Sequence, residues 1–355
     1  MTMIKRALMA ALTTLAAAPP LAAQAQGDAP FTLYGFMTQG VAAADSLPVM
    51  GIPTTGTTDY RTVAIQARYR VDSKSNVVLQ MSHRRIGQSP LAALEPDFEL
   101  DWAFYRRMVG PVTVSAGRVP LPHGFYNEVR DVGTLLPFFR APMSFYPDGT
   151  ESVDGVTATT RVDLGRWAVE LNGFAGGTEW KGVVPMGEEL VALETRSERS
   201  YGAETWLITP IVGVRAGVSY LSFKDNIDPD ERAAVLTASA EIDRDRWMIR
   251  SEVAEVTLTG MEFHMGYAHG RFRITPQFHV MGQYEQTNSS MTIPFEAEWT
   301  EMKDAALGVA FAPSSKLVFK LEGHRVDGYA FDVPMNRAGP GTVSNYVILS
   351  MSVSF

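Results

Sequence analysis

The stretch that decides the fold is Asn345 to Phe355, NYVILSMSVSF. Its odd positions are Val347, Leu349, Met351, Val353 and Phe355, and its even positions include Tyr346, Ser350, Ser352 and Ser354. Apolar and polar residues alternate with a period of two, which makes a strand with one greasy and one wet face.

The same pattern recurs along the chain. In 59–71, Val63, Ile65, Ala67, Tyr69 and Val71 oppose Thr62, Gln66, Arg68 and Arg70. In 76–84, Val77, Leu79 and Met81 oppose Gln80, Ser82 and Arg84. Leu100, Trp102 and Phe104 are set against Glu99, Asp101, Tyr105 and Arg107. Trp167, Val169 and Leu171 oppose Glu170 and Asn172, and Leu317, Phe319 and Leu321 oppose Lys320, Glu322 and His324. Such charge on one face does not suit a sealed core, because an unpaired buried charge is very costly. It suits a wall with lipid on its apolar side and a water-filled lumen on the other. Trp102, Trp167, Trp247 and Phe355 are then expected on the outer face near the headgroups.

Sixteen strands are expected, near 31–43, 59–71, 75–85, 99–109, 112–119, 152–163, 166–176, 198–208, 211–223, 232–242, 246–257, 260–269, 272–285, 300–312, 315–327 and 343–355. Short connections rich in Gly, Pro, Asp and Ser, such as Gly110-Pro111, Leu164-Gly165, Gly270-Arg271 and Pro313-Ser314, alternate with longer ones. The longer ones are 44–58, 86–98, 120–151, 177–197, 224–231, 286–299 and 328–342; Leu258-Thr259 is the exception. Short turns on one side and long loops on the other are the asymmetry of bacterial outer-membrane barrels. The expected fold class is therefore all-β, a transmembrane antiparallel β-barrel.

Residues 1–25 read as a signal peptide: Lys5 and Arg6, then the apolar run Ala7–Ala18, then Ala23-Gln24-Ala25 for cleavage. Residues 26–355 form the expected barrel. Two of the 31 Lys and Arg lie in that leader, leaving 29 against 39 Asp and Glu. This acidic balance excludes nucleic acid as the expected partner. There is no cysteine, which removes thiolate metal sites, Cys nucleophiles and disulfides. No run after residue 25 approaches the ~20 apolar residues of a spanning helix.

The closing strand, ending on Phe355, resembles the C-terminal strand of outer-membrane barrels. That resemblance implies recognition by the barrel-assembly machinery and a location in the Gram-negative outer membrane, among its lipid and lipopolysaccharide. The longest connection, PLPHGFYNEVRDVGTLLPFFRAPMSFYPDGTE from Pro120 to Glu151, follows the fifth strand. In strand count, loop position and loop length the chain resembles the general porins, whose third loop folds inward and narrows the barrel. Gly117-Arg118, Pro120, Pro122, Gly124 and the pair Glu128/Arg130 also resemble phosphate-selective and dicarboxylate porins. The resemblance implies a homotrimer that passes small hydrophilic solutes by passive diffusion, without a cofactor. A loop carrying Leu121, Phe125, Tyr126, Leu135, Leu136, Phe138, Phe139, Met143, Phe145 and Tyr146 is not expected to lie in solvent.

The expected pore-lining set is Arg68, Arg70, Arg84 and Arg107 on the wall, Arg118 at the loop's base, and His123, Glu128, Arg130, Asp131, Arg140 and Asp148 in the loop. Opposed guanidiniums and carboxylates across a narrow opening set up a transverse field, and the basic wall leans towards anions. The alternatives are a channel selective for phosphate, sulfate or carboxylates, and a structural or adhesive barrel plugged by its own loop. Catalysis is not expected. Among His83, His123, His264, His269, His279 and His324 there is no H-E-x-x-H, and no Ser sits in G-x-S-x-G. The acidic group Asp225, Asp228, Asp230 and Glu231 lacks ordered calcium-loop spacing and reads as a solvated loop.

Overall fold

A computed structural model describes residues 29–146, 151–186, 189–224, 231–291, 297–328 and 343–355. The leader, Asp148, Asp225, Asp228 and Asp230 lie outside them. Sixteen strands run in chain order: β1 (Phe31–Ala44), β2 (Thr57–Asp72), β3 (Ser75–Ile86), β4 (Glu99–Val109), β5 (Val112–Pro120), β6 (Ser152–Leu164), β7 (Trp167–Met186) and β8 (Glu189–Ile208), then β9 (Val214–Lys224), β10 (Arg232–Asp243), β11 (Trp247–Leu258), β12 (Met261–Arg273), β13 (Phe278–Met291), β14 (Ala297–Ser314), β15 (Leu317–Gly328) and β16 (Val343–Ser354). Each pairs antiparallel with its chain neighbour, and β1 closes on β16 from Phe36↔Ser354 to Ala44↔Tyr346. The closed sheet leaves no edge, as a strand-built wall in lipid requires.

The two faces separate as the alternation requires. Leu321, Val347 and Phe355 are exposed outside at 52, 51 and 52 %, whereas Ser350 and Ser352 point inward and are buried. The Phe355 ring lies over Gly35, and their backbones exchange two hydrogen bonds of 3.0 Å. Trp167 and Trp247 also lie on the outer face.

Strand β4 departs from the expectation. Register slips between Gln80 and Met81, which oppose Trp102 and Leu100, so Asp101 is an extra residue. A bulge of this kind exchanges the faces beyond it. Asp101 and Trp102 both turn inward, and Trp102 is buried, so it is not part of an outer aromatic girdle. Below the bulge Phe104 and Arg106 face the lumen, while Tyr105 and Arg107 face outward.

Several connections also differ: the expected turn Pro313-Ser314 lies within β14, and the expected loop 286–299 is strand up to Met291 and again from Ala297. Gly270 pairs with Ile249 and Gly282 inside the ladder, and the turn falls at 274–277, where Pro276 cannot donate. Segment 177–197 is not a loop but an extension of the β7–β8 hairpin. There Lys181 opposes Glu194 and Glu179 opposes Arg196, cross-strand pairs of opposite sign. The short connection expected at Leu258-Thr259 falls at Thr259-Gly260, one residue later.

Candidate functional site: the third loop inside the barrel

The segment between β5 and β6, the third loop, folds into the barrel. Leu121, Tyr126, Leu136, Phe138, Phe139, Met143, Phe145 and Tyr146 are all buried. Their burial follows from composition: a coil this apolar gains by leaving water. One turn of 3₁₀-helix, Asn127–Val129, shapes its start. Asn127 closes the loop's base by donating to the carbonyls of Leu121 and Glu151, both at 2.8 Å.

Towards β3 the loop is held by ion pairs. Arg84 reaches Asp131 at 3.3 Å and Glu151 at 2.9 Å, and Arg130 reaches Glu151 at 3.3 Å. Asp101 sits behind them and accepts from Ser82 Oγ at 2.7 Å and Gln80 Nε2 at 3.1 Å. Three carboxylates, with oxygens within 4.8 Å of one another, thus share two guanidiniums. Burial opposes the charge of Glu151, but Arg130 and Arg84 outweigh it and hold its carboxyl down to about 2. Asp131 is pushed upward, by burial first and by Glu151 against the opposing pull of Arg84.

Towards β8 and β11–β15 the loop is held through its backbone. Gly124 N donates to Glu204 at 3.0 Å, Ser144 N to Glu285 at 2.7 Å and Phe139 N to Glu322 at 2.8 Å. Glu252 accepts from Tyr267 at 2.7 Å, from Ser239 at 2.5 Å and from the Tyr146 hydroxyl. Lys320 Nζ donates to the carbonyls of Gly133 at 2.7 Å and Phe138 at 2.8 Å. Coil amides inside a barrel have no ladder partner, and these wall charges supply one. The Lys320, Glu322 and His324 face, expected to meet water, is instead buried under the loop, with His324 paired to Asp304 at 2.8 Å. Below the loop, Arg215 and Arg250 stack on the Phe125 ring at 5.0 and 4.6 Å.

Between the loop and the β2–β3 wall lies a cavity of about 30 Å³, lined by Thr62, Arg84, Arg130, Asp131, Arg140 and Met143 among others. That is room for one or two waters.

The expected site residues separate into groups. Arg84, Arg130, Asp131 and Arg140 come together at this cavity. Arg140 also stacks on Tyr60 at 5.0 Å. Arg68 and Arg70 face the lumen on β2, and Glu128 is exposed within the loop. His123 stacks on Phe145 at 4.9 Å, and burial lowers it to about 4, so it is a neutral packing residue. Two residues are not in the lumen. Arg107 lies on the outer face with Asp72 at 3.5 Å. Arg118 stands opposite Ala103, also on the outer face, and reaches Asp154 and Glu179, each at 3.6 Å. Sequence reasoning missed Arg106 because the bulge hid its parity. It also missed Glu204, Glu252 and Glu285, although each occupies the polar register of its strand.

No family model and no curated protein matches the sequence. Solved structures do match in fold. OmpF of Salmonella typhi in complex with daunomycin aligns with TM-score 0.62 at 11 % identity, over 92 % of this chain and 97 % of that one. The outer-membrane channel DcaP of Acinetobacter baumannii aligns with TM-score 0.60 at 11 % identity, over 92 and 97 %. A loop-L8 deletion of OmpT, an outer-membrane protein of Vibrio cholerae, gives 0.57 at 12 % identity, over 92 and 99 %. The chain has the fold of the Gram-negative outer-membrane porins, a closed 16-stranded barrel.

Proposed function

We propose that this barrel is an outer-membrane channel for passive diffusion of small hydrophilic solutes, with a preference for anions. The carrying observation is the state of the charges around the third loop. Its buried acids Asp131 and Glu151 are engaged by Arg84 and Arg130. By contrast, among the described residues Arg106 on the lumen wall donates to Ser115 Oγ at 3.2 Å, lies over the Phe104 ring and has the exposed Glu128 as its one acidic neighbour. Arg68 stands beside it across β2–β4 and is exposed. A wall whose cations outnumber its free acids raises the local concentration of anions.

The path runs between the third loop and β2–β3. The cavity there, about 30 Å³, holds no more than one or two waters. The same observation favours a second reading, a barrel kept plugged by its loop. Reconstitution into planar bilayers under a potassium chloride gradient separates the two. Discrete steps with a reversal potential displaced towards chloride support the channel. Silence from barrels of verified insertion overturns it and supports the plug. Saturable block by phosphate, sulfate or a dicarboxylate would add a binding site for that anion.

The remaining properties belong to the same proposal. The leader delivers the chain to the periplasm, Phe355 presents it to the assembly machinery, and three copies associate in the outer membrane. Sedimentation of the detergent-solubilised protein tests the trimer.

A further inference from the structure

The glycines inside the strands fall into two kinds. At Gly155 and Gly176 an added Cβ would lie 2.1 and 2.4 Å from a neighbouring carbonyl oxygen, and at Gly202 and Gly217 an aromatic ring fills the space. Those glycines are explained by close approach. At Gly270, Gly282 and Gly323 the nearest atoms are 3.7, 3.5 and 3.9 Å away, so a side chain would fit, and none has positive φ; Gly173 on β7 is likewise open but stands between Ala158 and Ala203, with no second glycine in its row. Glycine in a strand interior costs about 0.5–1 kcal/mol relative to alanine. Nothing within the barrel accounts for that cost here.

These three lie in one row of the outer face, Gly270↔Gly282↔Leu307↔Gly323↔Val347. The next row towards the extracellular end is Ala268↔Tyr284↔Ala305↔Arg325↔Asn345. Together they form a groove of about 680 Å³ with a floor of Gly and Ala and walls of Tyr284, Leu307, Arg325 and Val347. Leu307, in its middle, is 74 % exposed. Below the groove the face stays apolar with Val280, Val309 and Leu321. Above it the outward residues turn polar: Gln286, Lys303 and Asp327. Lys303 stands opposite Asp327 in register. Among the described residues no hydrogen bond or ion pair engages the Arg325 guanidinium, which leaves it available at the upper margin of the apolar band.

We infer that this groove is a seat for one phosphorylated, acylated lipid of the outer leaflet, an acyl chain lying over the glycine floor and a phosphate on Arg325. The small floor admits a chain close to the backbone, and guanidinium is suited to phosphate. The width of the groove and the position of Arg325 are thus explained by a single occupant.

The test is native mass spectrometry of the full barrel released from detergent after titration with bisphosphorylated lipid A, and in parallel with its dephosphorylated form. The wild type should retain one bisphosphorylated lipid and hold the dephosphorylated form about tenfold more weakly, the usual worth of one charge-assisted contact. Arg325→Gln should abolish that difference. Gly282→Leu, which fills the floor, should lower retention of both forms, whereas Gly173→Leu, at an open outward glycine on β7, should change neither. Equal retention of the two lipids by the wild type, or equal effects of the two glycine variants, overturns the proposal. So does a Gly282→Leu barrel that keeps its lipid but loses oligomers, which would make the groove an interface between copies.

Discussion

The third loop rests on two walls in opposite ways. Against β3 it is held side chain to side chain, by Arg84, Arg130, Asp131 and Glu151. Against β11–β15 the charges belong almost wholly to the wall, and the loop meets them mainly with amides and carbonyls, at Glu285, Glu322 and Lys320, and with the Tyr146 hydroxyl at Glu252. The first arrangement fixes a charge pattern and can separate only by exposing several ions at once. The second satisfies a coil that has no ladder of its own.

The largest effect should come from breaking the first wall. Arg84→Met leaves Asp101, Asp131 and Glu151 with one guanidinium among them. Removing one partner of a buried pair costs about 3–5 kcal/mol. Thermal unfolding of the detergent-solubilised barrel should shift by that amount, and single-channel noise should rise as the loop detaches. Breaking the second wall should cost less. Lys320→Met orphans the carbonyls of Gly133 and Phe138, at about 1–3 kcal/mol for each buried acceptor. Conductance should increase without a change of ion preference, because no lumen charge beside the path is altered. An unchanged melting curve for Lys320→Met would show that the backbone contacts do not hold the loop.

The pH response tests the first wall alone. Glu151, held at about 2 against an ordinary 4.5, contributes stability above pH 4.5 that is lost as pH falls towards 2. Asp131, raised from 3.8, has the opposite sign: its ionisation weakens the fold above 3.8, and protonation relieves it. The two partly cancel. Asp131→Asn removes the compensating member, so the loss of stability between pH 4.5 and about 3.8, where the two windows overlap, should become steeper than in the wild type. Parallel profiles would mean that Asp131 does not titrate against Glu151.

The barrel was legible because its wall repeats one local rule: lipid outside and polar groups inside force a period of two on β16, β15, β3 and β2. The third loop was legible as a buried segment from its ten large apolar residues. What occupies each inward charge was not legible. Glu322 read as a lumen acid, since nothing in its own strand says that Phe139 N comes to meet it across 183 residues. Faces also fail where parity fails. One extra residue at Asp101 exchanged Arg106 and Arg107.

That exchange gives the smallest and sharpest comparison. Arg106 and Arg107 are adjacent, equally charged and on one strand, yet the bulge sends one to the lumen and the other to the outer face. Arg107→Ala removes an exposed partner of Asp72 at 3.5 Å; such surface changes stay within about 0.5 kcal/mol and carry no pore charge. Its conductance and reversal potential should match the wild type. Arg106→Ala deletes a lumen cation beside Arg68 and should move the reversal potential away from chloride. If Arg107→Ala moved it instead, the bulge would lie elsewhere, and the faces of β4 below Asp101 would have to be exchanged.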